Sequence, residues 1–188
     1  MLNNCIMIQK VFLNYDFNIF LNADYSSHSG SCIKHQVHEC TDVHKKYSDN
    51  GKMPETYKLS NTLIHQLWWD ENTVDFKEIG RQINMTVKTI SSICQPPGNI
   101  IPLHKDTFYK IKTENDVKDE HVVRANIYLE DWKPGQMLQV SEKDESNWIN
   151  SHQWKAGEGF LLDEYNIHVG ANAGMSNKYT LQVSGFLN

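Results

Sequence analysis

The chain has 188 residues, 39% of them hydrophobic and 22% charged, which is ordinary for one globular domain large enough to bury a core. Its formal net charge of −5 argues against a broad electrostatic grip on duplex nucleic acid. No apolar run approaches the roughly 18 residues that would cross a bilayer.

The opening MLNNCIMIQKVFLNYD carries no basic leader and no small-residue cleavage site, so the expected location is the cytoplasm. Cys5, Cys32, Cys40 and Cys94 are scattered and read as reduced thiols. Residues 6–20 have room for one or two edge strands, and residues 22–51 are polar and turn-rich. Within them Cys32, His35, His38, Cys40 and His44 fall close together. That spacing fits no common zinc finger, so the segment reads either as a zinc site or as a loop that closes over substrate. Over residues 56–69 the apolar residues Leu59, Leu63, Leu67 and Trp68, with Ile64 beside them, predict a helix. A second short helix is expected over 74–83, capped by Thr73.

From Met85 the texture becomes β-branched and alternating. Strands are expected at 85–93, 119–130, 137–140, 148–154, 159–163, 167–170 and 179–187, separated by turns such as Pro96-Pro97-Gly98 and Lys133-Pro134-Gly135. Short strands with turn signals every 8–12 residues indicate a sandwich or barrel. The expectation is therefore a mainly β, jelly-roll fold with supporting N-terminal helices. It forms one domain over residues 1–188, with 1–84 as the extension and 85–188 as the jelly-roll core.

Three features carry chemistry. In His104-Lys105-Asp106 the first and third residues project from one face of an extended segment, so an imidazole and a carboxylate share a direction. His168 follows in GEGFLLDEYNIHVGAN, and Lys178 stands ten residues beyond it, on the last strand. Two histidines and one carboxylate are the ligand set of non-haem iron(II) oxygenases, and the lysine offers a fixed positive charge for the far carboxylate of a dicarboxylate. On the last strand Lys178, Thr180, Gln182 and Ser184 make one polar face. Arg124, Asn126 and Tyr128 make another on the strand expected at 119–130, and two such faces could line a wet cavity. The competing reading of each is an ordinary solvent face. Ser92 is a further hydroxyl candidate. Trp132, Trp148 and Trp154 read as packing residues, and Asp163 or Glu164 as outer partners for an imidazole.

The segments PPGNIIPLHKD, VVRANIYLEDWKPG, WKAGEGFLLDEYNIHVGANAG and KYTLQVSGF resemble the iron(II)/2-oxoglutarate-dependent oxygenase superfamily. Within it they are most similar to the aspartyl/asparaginyl β-hydroxylase-like branch, which includes small phage-borne members. The resemblance covers about residues 85–188. It implies a double-stranded β-helix (a cupin-like jelly roll), iron(II) held by His104, Asp106 and His168, and 2-oxoglutarate and dioxygen as co-substrates. Lys178 falls where that branch places a basic residue, more often arginine, against the distal carboxylate, and Arg124 falls where the branch often turns an arginine toward the site. Beside the resemblance, the polar faces suggest Lys178 and Thr180 as holding the co-substrate, with Ser92 as a further hydroxyl contact. They suggest Arg124 and Asn126 as contacts to co-substrate or substrate, and Tyr128 as a further substrate contact. The implied activity is hydroxylation of an amino-acid side chain, free or in a peptide or protein, with no membrane partner. Two alternatives stand: a cupin-like metalloenzyme that does not use 2-oxoglutarate, and a non-catalytic jelly-roll binding module.

Overall fold

The computed structural model describes residues 8–25, 32–36, 63–114, 121–141 and 147–188. Eleven strands and three helices occur among them: β1 (Gln9–Phe12), α1 (Asn18–Leu21), β2 (Cys32–Gln36), β3 (Leu63–Trp69), α2 (Phe76–Ile83), β4 (Met85–Gln95), β5 (Asn99–Lys105), α3 (Tyr109–Glu114), β6 (Val122–Tyr128), β7 (Gln136–Ser141), β8 (Trp148–Ser151), β9 (Glu158–Asp163), β10 (Ile167–Asn172) and β11 (Lys178–Leu187). They form a seven-stranded sheet, in the order β1-β9-β6-β11-β4-β3-β2, and a four-stranded sheet, β5-β10-β7-β8. Every pairing is antiparallel. This is the expected mainly β jelly roll, and the large sheet draws strands from both sides of residue 85.

The central strands are buried on both faces, for two different reasons. Outward, Val123, Ala125, Ile127 and Leu129 of the β6 segment join Ile90, Leu161, Leu181 and Val183 under Leu13, Phe20, Ile79 and Ile83. Inward, Tyr128, Phe160 and Leu162 meet Leu138 and Val140 of the small sheet, with Trp154 closing the cluster. The outer layer depends on α2, whose apolar residues Phe76, Ile79 and Ile83 share one face. Ile79 is fully buried, and its truncation to alanine removes about 2–5 kcal/mol.

The helix starts two residues later than the sequence suggests. Asp75, not Thr73, is the N-cap, accepting from the Glu78 amide at 2.9 Å. The Thr73 amide and hydroxyl instead donate to Asp70, at 3.0 Å each. Asp70 already closes a turn there and takes the hydroxyl that would have capped.

The helix expected over 56–69 is corrected where it can be seen. Leu63–Trp69 is a strand lying between β2 and β4, and residues 56–62 fall outside the described residues. Its outward residues Leu67 and Trp69 pack under Tyr25, while the inward side carries Ile64, Gln66 and Trp68. With large apolar residues on both faces the period of two vanishes, and the remaining spacing imitates a helix. For the cysteine–histidine cluster, the backbone of Cys32 and His35 lies in β2. The remaining members, His38, Cys40 and His44, lie outside the described residues. Among the described residues no helix is long and apolar enough to cross a membrane.

Candidate metal centre

His104 and His168 face each other directly across the β5–β10 pairing, with ring centroids 4.1 Å apart. Asp106 follows β5 by one residue and turns its carboxylate between them. Its Oδ1 lies 4.0 Å from His104 Nε2 and its Oδ2 lies 3.9 Å from His168 Nε2. One ligand atom from each of the three lies within 4.8 Å of the others. Two ligands at about 2.1 Å from one ion stand about 3 Å apart at right angles and about 4.2 Å apart when opposed. The observed spacings are of that scale. The β5–β10 register shifts between His168 and Gly170, a bulge of the kind that re-aims side chains beside a site.

The electrostatics favour a cation at this point. Asp106 Oδ2 is buried and without a hydrogen-bond partner among the described residues, an arrangement that is costly unless something positive occupies its front. Its other oxygen accepts from Arg124 Nη1 at 2.7 Å, and Arg124 Nε donates to Ser184 Oγ at 2.9 Å. Burial alone would raise this carboxyl, but the Arg124 guanidinium and the two imidazoles outweigh it and hold the group below its usual range. The same burial pushes both histidines down, His168 to about 3, so both rings are neutral and offer lone pairs near pH 7. His104 Nδ1 lies 2.7 Å from the Pro102 carbonyl. A hydrogen on Nδ1 satisfies that contact and leaves Nε2 as the donor atom.

Deeper in the barrel stands Lys178, 4% exposed. Its ammonium donates to the Met137 carbonyl at 2.8 Å and lies 5.7 Å from the Trp154 ring centroid. Burial pushes it down to about 7. Gly170 is the next inward residue after His168 on β10, and a Cβ built there would lie 3.4 Å from Lys178 Nζ. The Lys178 ammonium, from β11 of the facing sheet, therefore stands over the β10 position that follows His168 on the inward face.

Register places the other candidates. Thr180 lies opposite Tyr128, Gln182 opposite Asn126, and Ser184 opposite Arg124, so all six share the interior face. Thr180, Gln182 and Arg124 are half-buried, and Asn126 is buried. Tyr128 is a wall rather than an open contact: its ring stacks on Trp154 at 3.8 Å and 6°. Ser92 does not reach the site. It pairs opposite Leu181 on the outward face, where its hydroxyl accepts from Tyr25 Oη and Trp69 Nε1, both at 2.8 Å. Period two decides its direction: Ser92 is an odd number of residues from Ser91 and Gln95, which do face inward.

Asp163 and Glu164 are not partners of His168. Asp163 is fully buried and holds the turn before β10, accepting from the Tyr165 and Asn166 amides at 2.8 and 3.2 Å. Its Oδ2 lies 3.2 Å from His121 Nε2, and Glu164 pairs with Lys112. Trp132 and Trp154 are packing residues, their indoles donating to the Gln136 and Glu130 carbonyls at 2.7 and 3.2 Å. Trp148 is 37% exposed on the edge strand β8.

Sequence reasoning missed one group. Gln66 Nε2 donates to Ser91 Oγ at 2.9 Å and to Gln182 Oε1 at 3.3 Å, forming an amide and hydroxyl row beside the cluster. The helix expected at 56–69 hid Gln66; only its pairing opposite Ile93 on β4 turns it inward.

No protein-family model matches the chain, and no curated protein matches it. Solved structures do. A Pseudomonas putida prolyl-4-hydroxylase superposes with a TM-score of 0.50 at 15% identity, over 85% of this chain and 94% of that one. An oxidoreductase of the 2OG-Fe(II) oxygenase family from Burkholderia pseudomallei gives 0.47 at 8% identity, over 84% and 86%. A predicted oxalate decarboxylase from Thermotoga maritima gives 0.41 at 15%, over 68% and 84%. At these identities the likeness is one of fold, and the fold this chain shares with the prolyl-4-hydroxylase is the jelly roll described above.

Proposed function

We propose that this chain is an iron(II)- and 2-oxoglutarate-dependent dioxygenase that hydroxylates an amino-acid side chain, free or within a peptide. One observation carries the reading. A His104–Asp106–His168 cluster with an orphaned carboxylate oxygen stands inside a jelly roll, and the buried Lys178 ammonium, reaching in from β11, lies in front of Gly170, the next inward residue after His168 on β10. The prolyl-4-hydroxylase that shares the fold is named for chemistry of this class, which supports an amino-acid side chain as the acceptor.

The division of labour follows from the residues. His104 Nε2, His168 Nε2 and Asp106 Oδ2 would hold the ion, three donors that leave the remaining positions to co-substrates. Arg124 keeps Asp106 Oδ1 occupied, so the carboxylate presents a single oxygen. Lys178 would donate to the far carboxylate of 2-oxoglutarate, with the Thr180 hydroxyl beside it on the same face. When bound, iron(II) with 2-oxoglutarate supplies the oxidising power: dioxygen is divided between the co-substrate, released as succinate and carbon dioxide, and a C–H bond. Tyr128, Trp154, Leu138 and Leu162 keep water from that end of the barrel. Arg124 and Asn126, at the metal end of the polar face, would meet the substrate. Residues 1–188 serve this site as one domain.

The test is oxygen-dependent release of carbon dioxide from carboxyl-labelled 2-oxoglutarate by the iron-loaded protein, screened across free amino acids and short peptides. Release that is abolished in Asp106→Ala and stimulated by one acceptor supports the proposal. Iron binding without any release, whatever the acceptor, moves the assignment to a cupin-like enzyme that does not use 2-oxoglutarate.

A further inference from the structure

Gly170 has no structural need to be glycine. Its backbone torsion is not in the left-handed region, unlike Gly98, Gly135 and Gly157 at φ 77°, 90° and 88°. Nor does packing forbid a side chain. A Cβ at Gly80, Gly159, Gly174 or Gly185 would strike backbone oxygens at 2.4, 2.2, 2.5 and 2.0 Å respectively. At Gly170 the Cβ would meet one atom within 4 Å among the described residues: Lys178 Nζ, at the ordinary contact distance of 3.4 Å. A glycine inside a strand weakens it and is expected where something must approach the backbone closely. Lys178 Nζ stands in front of Gly170, and His168 is its neighbour on the same inward face of β10, so the metal ligand and the ammonium flank this position.

We infer that Gly170 is a specificity-determining residue of the co-substrate channel: its missing side chain keeps open the path between the metal cluster and Lys178. A five-carbon dicarboxylate lies along that path, and a side chain at position 170 occupies the room that its carbon chain needs. The inference rests on the 2-oxoglutarate reading above and adds to it the residue that sets which 2-oxo acids fit. Gln95 Nε2 donates to the Gly170 carbonyl at 3.2 Å and to the Asn99 carbonyl at 2.9 Å, fixing the strand at that point. The path therefore cannot widen by backbone movement without breaking a buried amide contact.

The experiment compares wild type, Gly170→Ala and Gly170→Val by anaerobic titration of the iron(II)-loaded proteins, reading tryptophan fluorescence and visible absorption. The two probes are 2-oxoglutarate and pyruvate, which has the same 2-oxo acid head and no distal carboxylate. Gly170→Val is expected to weaken 2-oxoglutarate by about tenfold or more while pyruvate changes less than about twofold; Gly170→Ala falls between. Iron affinity stays at the wild-type value in both variants. Equal 2-oxoglutarate affinity in Gly170→Val and wild type overturns the inference, and so does an equal loss for both probes. If wild type itself fails to bind 2-oxoglutarate, the co-substrate reading falls and the inference with it. That failure is distinguishable because it appears before any variant is measured. Should the valine variant not fold, the alanine variant decides, since its Cβ makes no contact shorter than 3.4 Å.

Discussion

The two cations inside the barrel are held in opposite ways. Arg124 is paired: one nitrogen bonds the Asp106 carboxylate and another bonds Ser184. Lys178 is more deeply buried, yet the partner it meets among the described residues is the neutral Met137 carbonyl. An arginine locked against a carboxylate organises a site in advance, since its charge is fixed and already compensated. A buried lysine with no carboxylate partner among the described residues is a destabilised group that an anion would stabilise. On the proposed function, the metal end is organised before the ion binds, and the Lys178 end is completed by the co-substrate.

The largest effect that separates the two ends is expected at the metal. His168→Ala removes a donor atom, and calorimetric titration should show a loss of iron affinity beyond the roughly 10–100-fold that outer partners contribute. 2-Oxoglutarate binding disappears with it. Lys178→Met has the complementary outcome: iron binding persists, while 2-oxoglutarate affinity falls by about 100-fold, near the 3 kcal/mol that a charge-assisted pair contributes. The variant should also be more resistant to urea than wild type without ligand, because an uncompensated buried ammonium has been removed. A Lys178→Met protein of unchanged affinity would erase the contrast between the two cations.

Acidity sharpens the same comparison. Lys178 sits at about 7 in the fold, below its ordinary value of 10.5. Between those values the unfolded chain binds the proton more readily, so ligand-free stability contributed by this group rises with pH from about 7 to 10.5. A dianionic co-substrate prefers the protonated lysine. Its affinity should therefore be level below pH 7 and fall above it, approaching tenfold per pH unit. Lys178→Met flattens both profiles; a wild-type affinity that rises above pH 7 would contradict the assignment.

Most of the residues in this contrast could be read from the sequence, and what could not has two causes. His104, Asp106 and His168 were legible because their chemistry is unusual, and strand alternation gave their direction. Arg124, Asn126, Lys178 and Thr180 were legible as polar faces, since solvent-like residues on central strands of a jelly roll require an interior reason. Ser92 was misplaced because β4 is buried on both sides, and burial alone does not say which face a hydroxyl takes. Gln66 was hidden by the same effect in β3, where Ile64, Leu67, Trp68 and Trp69 fill both faces and blur the period. The Arg124–Asp106 pair lay beyond sequence reasoning, because it joins residues from different sheets whose approach depends on how the sheets pack.

Smaller effects test the metal end. Arg124→Met frees Asp106 Oδ1 and should cost about tenfold in iron affinity, with Arg124→Lys restoring part of it. Ser92→Ala, on the outer face, removes the acceptor of the Trp69 indole and one of the two partners of the Tyr25 hydroxyl, which keeps the Phe20 carbonyl, and thermal or urea unfolding should show a loss of about 1–3 kcal/mol. Its iron and 2-oxoglutarate affinities stay at wild-type values. A co-substrate defect in Ser92→Ala would return that residue to the site.

The measurement that bears most directly on the whole account is anaerobic titration of metal-free protein with iron(II) and then 2-oxoglutarate, followed by visible absorption. The account predicts a weak new band when both are present, absent in His168→Ala and reached only at much higher 2-oxoglutarate in Lys178→Met. Iron binding with no band at any 2-oxoglutarate concentration would contradict the co-substrate assignment, and no iron binding at all would contradict the metal centre itself.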